Sequence, residues 1–91
     1  MELDYANAIE ISMNASQSIN YNPPSNGFIF MTGYGSKNSY IACGVGIVRI
    51  LQQATGDNYV GFTFPVTKGV VTDITTGNIT TNRKIWFVPY K

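Results

Sequence analysis

Apolar and polar residues alternate at a spacing of two along most of this chain, and no segment keeps apolar residues at helical spacing for more than a turn. Ile9, Ile11 and Met13 alternate with Ala8, Glu10 and Ser12, which predicts a half-buried strand; residues 17–21 predict a short second one, with Ile19 and Tyr21 on one face. The run Asn22-Pro-Pro-Ser-Asn-Gly27 stops pairing, because proline has no amide to donate and Asn-Gly readily takes positive φ. Phe28, Phe30, Thr32 and Tyr34 then share one face of a strand whose other face carries Ile29 and Met31, so both faces are apolar and the strand is central.

Residues 35–39 read as a polar tip, after which residues 40–51 form a long strand. Ile41, Cys43, Val45, Ile47 and Leu51 take one side and Ala42, Val48 and Ile50 the other, with Gly44 and Gly46 marking a bulge or a close backbone approach. A second polar turn over residues 54–58 leads into residues 59–66, where Val60, Phe62, Phe64 and Val66 face inward and Pro65 marks an edge or an end. Thr67-Lys-Gly69 turns into residues 70–74, and Thr75-Thr-Gly-Asn78 turns again into a last strand, residues 79–90. Six or seven short strands at this spacing predict an all-β fold, an antiparallel β-sandwich of jelly-roll-like architecture, with residues 1–91 as one domain. Such a unit can stand alone or as the C-terminal domain of a longer fibre-like protein.

Composition narrows the function. Only 12% of the residues are charged, against about 25% in an average domain, while Asn, Ser and Thr together supply 24 of the 91 positions. Six cations without a basic stripe and a net charge of +1 predict no nucleic-acid partner. The apolar stretch over residues 40–51 is interrupted by Gly44, Gly46 and Arg49 and is too short to insert into a bilayer, and the N-terminus lacks the signature of a signal peptide, so the expectation is a soluble, unexported chain. Cys43 is the single cysteine, which leaves no intrachain disulfide; its apolar neighbours predict a buried thiol. No His/Cys cluster suggests a metal, and no cofactor motif is present. Without a histidine the commonest general base is missing, and the carboxylates Glu2, Asp4, Glu10, Asp57 and Asp73 fall at a terminus, on a strand's polar face or in turns, so the chain is not expected to be an enzyme.

Three segments carry a family likeness: Tyr21-Asn-Pro-Pro-Ser-Asn-Gly-Phe28 leading into an aromatic strand, Phe64-Pro-Val-Thr-Lys-Gly69 closing another, and Ile85-Trp-Phe-Val-Pro-Tyr-Lys91 at the C-terminus. In these the chain resembles the small β-sandwich tip or head domains of bacteriophage tail fibres and tail appendages, although Val70 follows Gly69 where many such domains have Asp. The resemblance implies a jelly-roll-like head, commonly a homotrimer, carried in the virion and made in the host cytoplasm. It would touch a host cell-surface component, a glycan or an envelope protein, alongside other tail proteins. The alternatives are a structural connector or cap in a tail or baseplate, or a carbohydrate-binding module.

The loop residues place candidate contacts. Tyr34 and Tyr40 bracket Lys37 and Asn38, a set suited to stacking on a sugar face while hydrogen-bonding its hydroxyls, and Asp57, Asn58 and Tyr59 repeat the chemistry one turn later. The C-terminal run is apolar on both faces, with Trp86, Val88 and Tyr90 opposite Ile85 and Phe87, which points to a second covered surface. Val45, Ile47, Ile85, Trp86, Phe87 and Tyr90 are therefore the expected subunit contacts, unless a loop of the same chain or a neighbouring domain covers that strand.

Overall fold

A computed structural model describes residues 2–91. After a 3-10 turn at Tyr5–Asn7, it contains the strands β1 (Ile9–Glu10), β2 (Gln17–Tyr21), β3 (Gly27–Val45), β4 (Val48–Gln53), β5 (Asn58–Val66) and β6 (Thr72–Pro89), all antiparallel in one hydrogen-bonded sheet. The all-β, antiparallel reading of the sequence holds, and six strands fall within the predicted number, but two of them are far longer than predicted.

The long strands arise because two of the expected turns do not reverse the chain. Residues 35–39 carry β3 onward through a bend, with Asn38 at φ 73 and register shifts against β6 between Tyr34 and Tyr40. Likewise Gly77 and Asn78 do not end a strand; β6 passes through them, with Asn78 at φ 59 and Asn82 at φ 54. Asparagine is the non-glycine residue that best tolerates this left-handed backbone, so polar residues read as turn signals act here as bends.

The reversal falls where a continuous strand was expected. Gly46, at φ 58, and Ile47 form a two-residue hairpin turn closed by the pair Val45 and Val48. Glycine at the first central position, followed by a residue outside the left-handed region, is the turn whose twist matches its flanking strands. The turn also inverts the predicted facing of Leu51, which pairs with Ala42 on the outer surface while Ile50 pairs with Cys43. The Thr67-Lys-Gly69 turn forms as expected, with Val70 N–H bonded to Thr67 C=O at 3.0 Å and Gly69 at φ 75.

Each long strand changes partners at its bend. The first half of β3 lies between β5 (Ile29 opposite Phe64) and the second half of β6 (Ile29 opposite Phe87), and β1 adds to that half of β6. The second half of β3 lies between β4 and the first half of β6 (Cys43 opposite Ile50 and Ile74), to which β2 is added. Counting the halves separately gives eight segments in nested pairs: first with eighth, second with seventh, third with sixth, fourth with fifth.

The two halves of the sheet share one core. Ile29, Met31, Val60, Phe64, Ile85 and Phe87 from one half and Ile41, Cys43 and Ile74 from the other belong to a single buried cluster. Direct contacts cross it: Cys43 Sγ lies 3.3 Å from Met31 Sδ, and the Tyr21 and Phe87 rings are 6.0 Å apart. Burial pushes the Cys43 thiol up to about 12, an offset opposed only by nearby Arg49, and raises the Tyr21 hydroxyl in the same way. The thiol predicted to be buried is buried.

Residues 21–28, 64–69 and 85–91 meet at the end opposite the bends. Asn26 Oδ1 accepts the Lys68 N–H at 2.8 Å, Pro23 C=O accepts the Gly69 N–H at 3.1 Å, and Asn26 C=O accepts the Tyr90 N–H at 3.2 Å. Gly27 is buried there because no side chain fits: a Cβ would stand 2.2 Å from the Val88 carbonyl oxygen.

Candidate functional site

The pairing of β3 with β5 places Tyr34 opposite Tyr59 and Gly35 opposite Asn58. The two tyrosine rings meet edge to face with centroids 5.0 Å apart, an arrangement aromatic quadrupoles favour. Asn82 donates from Nδ2 to the Tyr59 hydroxyl at 3.0 Å, and Asn58 Oδ1 accepts the Tyr59 N–H at 2.8 Å. Tyr59 is 60% exposed, so the pair is a surface feature and not a piece of core.

Lys37, Asn38 and Asp57 lie at the same end. Asn38 N–H bonds to Ala54 C=O at 2.9 Å, and Gln53 Nε2 donates to Asn38 C=O, which ties the bend of β3 to the β4–β5 turn. Tyr34, Asn58 and Tyr59 are thus joined directly, Asn38 is tied to the neighbouring turn, and Lys37 and Asp57 are next to these residues in the chain. Tyr40 does not join them: beyond the bend its ring lies over Gly77, on the outer face of the other half, where a Cβ at Gly77 would fall 2.1 Å from the ring. A tip bracketed by Tyr34 and Tyr40 is replaced by a platform of Tyr34 and Tyr59.

Beside the platform, β6 and the segment following β1 diverge around a cleft of about 380 Å³ lined by residues including Glu10, Ser12, Thr80, Asn82, Arg83 and Lys84. Arg83 spans its base, donating from Nε to Met13 C=O at 3.0 Å and from Nη1 to Ile79 C=O at 2.8 Å. Glu10 and Lys84 form no ion pair among the described residues, where the salt bridges are Arg49–Asp73 and Lys91–Glu2. A carboxylate, an ammonium, an amide and hydroxyls thus stand ready to bond an incoming polar group. Sequence reasoning missed Asn82 and this cleft; the one available signal was an asparagine within a Thr-rich strand, a residue suited to left-handed backbone.

The expected subunit contacts divide by strand face. Ile85 and Phe87, 3% and 1% exposed, point into the chain's own core and offer no surface to another copy, while Val45 is half-buried against that core. Trp86 and Tyr90 face outward and Ile47 is fully exposed at its turn. Much of the second face of the C-terminal strand is covered by the chain itself: Asp4 N–H bonds to Pro89 C=O at 2.7 Å, and Tyr5 meets Phe30 edge to face at 6.1 Å. An apolar groove of about 280 Å³ remains there, lined by Tyr5, Ala8, Phe30, Trp86 and Val88.

Comparison with protein-family models, with curated protein sequences and with solved structures finds no match for this chain.

Proposed function

We propose that this chain is a jelly-roll-like β-sandwich domain that binds a host cell-surface component, a glycan by preference, without chemically changing it, as part of a phage or prophage tail. The nested pairing of eight antiparallel segments supports the architecture, since a long hairpin rolled up on itself gives that order. The observation that carries the function is the Tyr34–Tyr59 platform. The exposed Tyr59 ring, held by Asn82 and set against the half-buried Tyr34 ring, offers a stacking surface, with Asn58, Asp57 and Lys37 close by in the chain as hydrogen-bonding groups. A purely structural role in the tail is the second reading, favoured by the aromatic groove beside Trp86, which suits a protein neighbour better than a sugar. A trimer of the kind the resemblance implies would seat on that groove, because Ile85 and Phe87 are committed to the core.

A glycan array and a cell-binding assay, run on the wild type and on Tyr34→Ala and Tyr59→Ala, test the reading. Each substitution should weaken binding about tenfold, equivalent to about 1.4 kcal/mol. Binding that neither substitution weakens would remove the platform from the function. No binding to any glycan or cell would favour the structural role.

A further inference from the structure

The sheet has four lateral edges, and the chain treats them differently. β1 is two residues long, and β2 carries Gln17, Ser18 and Asn20 before running into Pro23 and Pro24. The β5 edge is blunted residue by residue. The outward N–H of Tyr59 is taken by the Asn58 side chain, that of Gly61 by Gln52 Oε1 at 2.6 Å, and Pro65 has none, which leaves Thr63 as the outward donor of this edge without a partner among the described residues.

β4 has no such protection. Closure of its hairpin at Val45 and Val48, and the bond from Ala54 N–H to Ser39 C=O, direct the amides of Val48, Ile50 and Gln52 toward β3 and those of Arg49, Leu51 and Gln53 away from it. Among the described residues no strand pairs with that outward row. The strand contains neither proline nor glycine, has one charge, and leaves Val48 and Leu51 67% and 58% exposed. An edge of this kind is a template for another strand.

We infer that β4 pairs antiparallel with β4 of a second copy of this chain about a twofold axis at Leu51. The occupant follows from self-complementarity. With Leu51 opposite Leu51 of the partner subunit, Arg49 stands opposite a glutamine amide and not a second guanidinium, and all three outward residues on each strand find backbone partners. Moving the axis to Arg49 opposes two cations, and moving it to Gln53 carries half the pairing past the end of the strand. The outer surface suits the join: Leu51 lies over Ala42, and Arg49 is already held by Asp73 at 3.2 Å, so neither strand brings an unpaired charge to the seam. The pairing is independent of what the Tyr34–Tyr59 platform binds. It is compatible with a threefold contact on the aromatic groove, which lies on the other half of the sheet.

Leu51→Pro is a selective probe, because the Leu51 amide makes no bond among the described residues and its loss leaves the β3–β4 ladder intact. Leu51→Lys keeps the backbone and opposes two ammonium groups at the axis, and Thr63→Pro is the control on the blunted edge. Sedimentation equilibrium at hundreds of micromolar protein should give the wild type and Thr63→Pro an even number of chains and should halve that mass in both Leu51 variants. Amide exchange at Arg49, Leu51 and Gln53 should slow with concentration while exchange at Ile50 and Gln52 stays slow throughout. A wild type that sediments as a monomer or trimer, or a folded Leu51→Lys protein of unchanged mass, overturns the inference, and binding by the Tyr34–Tyr59 platform is judged separately in the glycan assay.

Discussion

The Cys43 thiol makes alkaline pH a probe of the core. Its folded pKa is raised by burial from 9.0 to about 12, whereas the unfolded chain titrates near the ordinary value. The folded state therefore holds one more proton than the unfolded state between those limits. Stability from this source is fully present below about pH 9 and falls as pH rises toward about 12, with a slope of about 1.4 kcal/mol per pH unit. From about pH 9 to 10.5 the loss should approach 2 kcal/mol. Tyr21, also raised by burial, adds a slope of the same sign, so the wild type alone cannot isolate the thiol. Cys43→Ala can: it carries a pH-independent cavity cost of about 1 kcal/mol and lacks the thiol's alkaline loss. Urea unfolding of both proteins across this range should show two stability curves that converge as pH rises and cross at about pH 10. Curves that remain parallel would refute the argument, because they would mean that Cys43 ionises as readily folded as unfolded. Thiol labelling at about pH 8 gives a second measure: burial suppresses the thiolate in the folded state, so labelling should proceed through opening of the fold.

Gly27→Ala should destabilise by more than the usual 1–3 kcal/mol of overpacking, since its Cβ meets the Val88 carbonyl and Pro89 Cα, backbone atoms that cannot swing aside; thermal melting measures it. Gly77→Ala meets only the Tyr40 ring and should cost less, with a change in tyrosine fluorescence as the ring is displaced. Arg83→Met strips hydrogen bonds from the carbonyls of Met13 and Ile79 and should cost about 2–4 kcal/mol, with amide exchange accelerating first over residues 11–16.

The sequence announced the strands through alternation but not where the chain reverses. Alternation gave the inward face of β5 and sorted the residues of both β3 halves onto two faces, because a strand must place Ile29 and Met31, or Val60 and Phe64, at spacing two, but which face of β3 turns inward is set by the fold. Turn signals were ambiguous for a definite reason: Asn38, Asn78 and Asn82 supply left-handed backbone, which serves a bend between two half-sheets as well as a hairpin. In the sequence Gly46 reads as a bulge or a close backbone approach because apolar residues continue on both sides of it, and only the Val45–Val48 pairing distinguishes a turn. At the candidate site, adjacency in sequence suggested Tyr34 with Tyr40, and the bend separates them. Tyr34 with Tyr59 depends on the β3–β5 register, a relation between residues 25 positions apart that local pattern does not encode.

The nested pairing also sets how the chain can fold. Direct closure of β1 onto the end of β6 would bring together residues almost a full chain apart, the slow kind of contact. Nesting supplies a shorter route. The Gly46 hairpin forms from neighbours, its closure brings β5 within reach of the first half of β3, and each further ring encloses a loop already shortened by the ring inside it. The molecule can thus assemble outward from Val45 and Val48, with the meeting of its two ends as the last step.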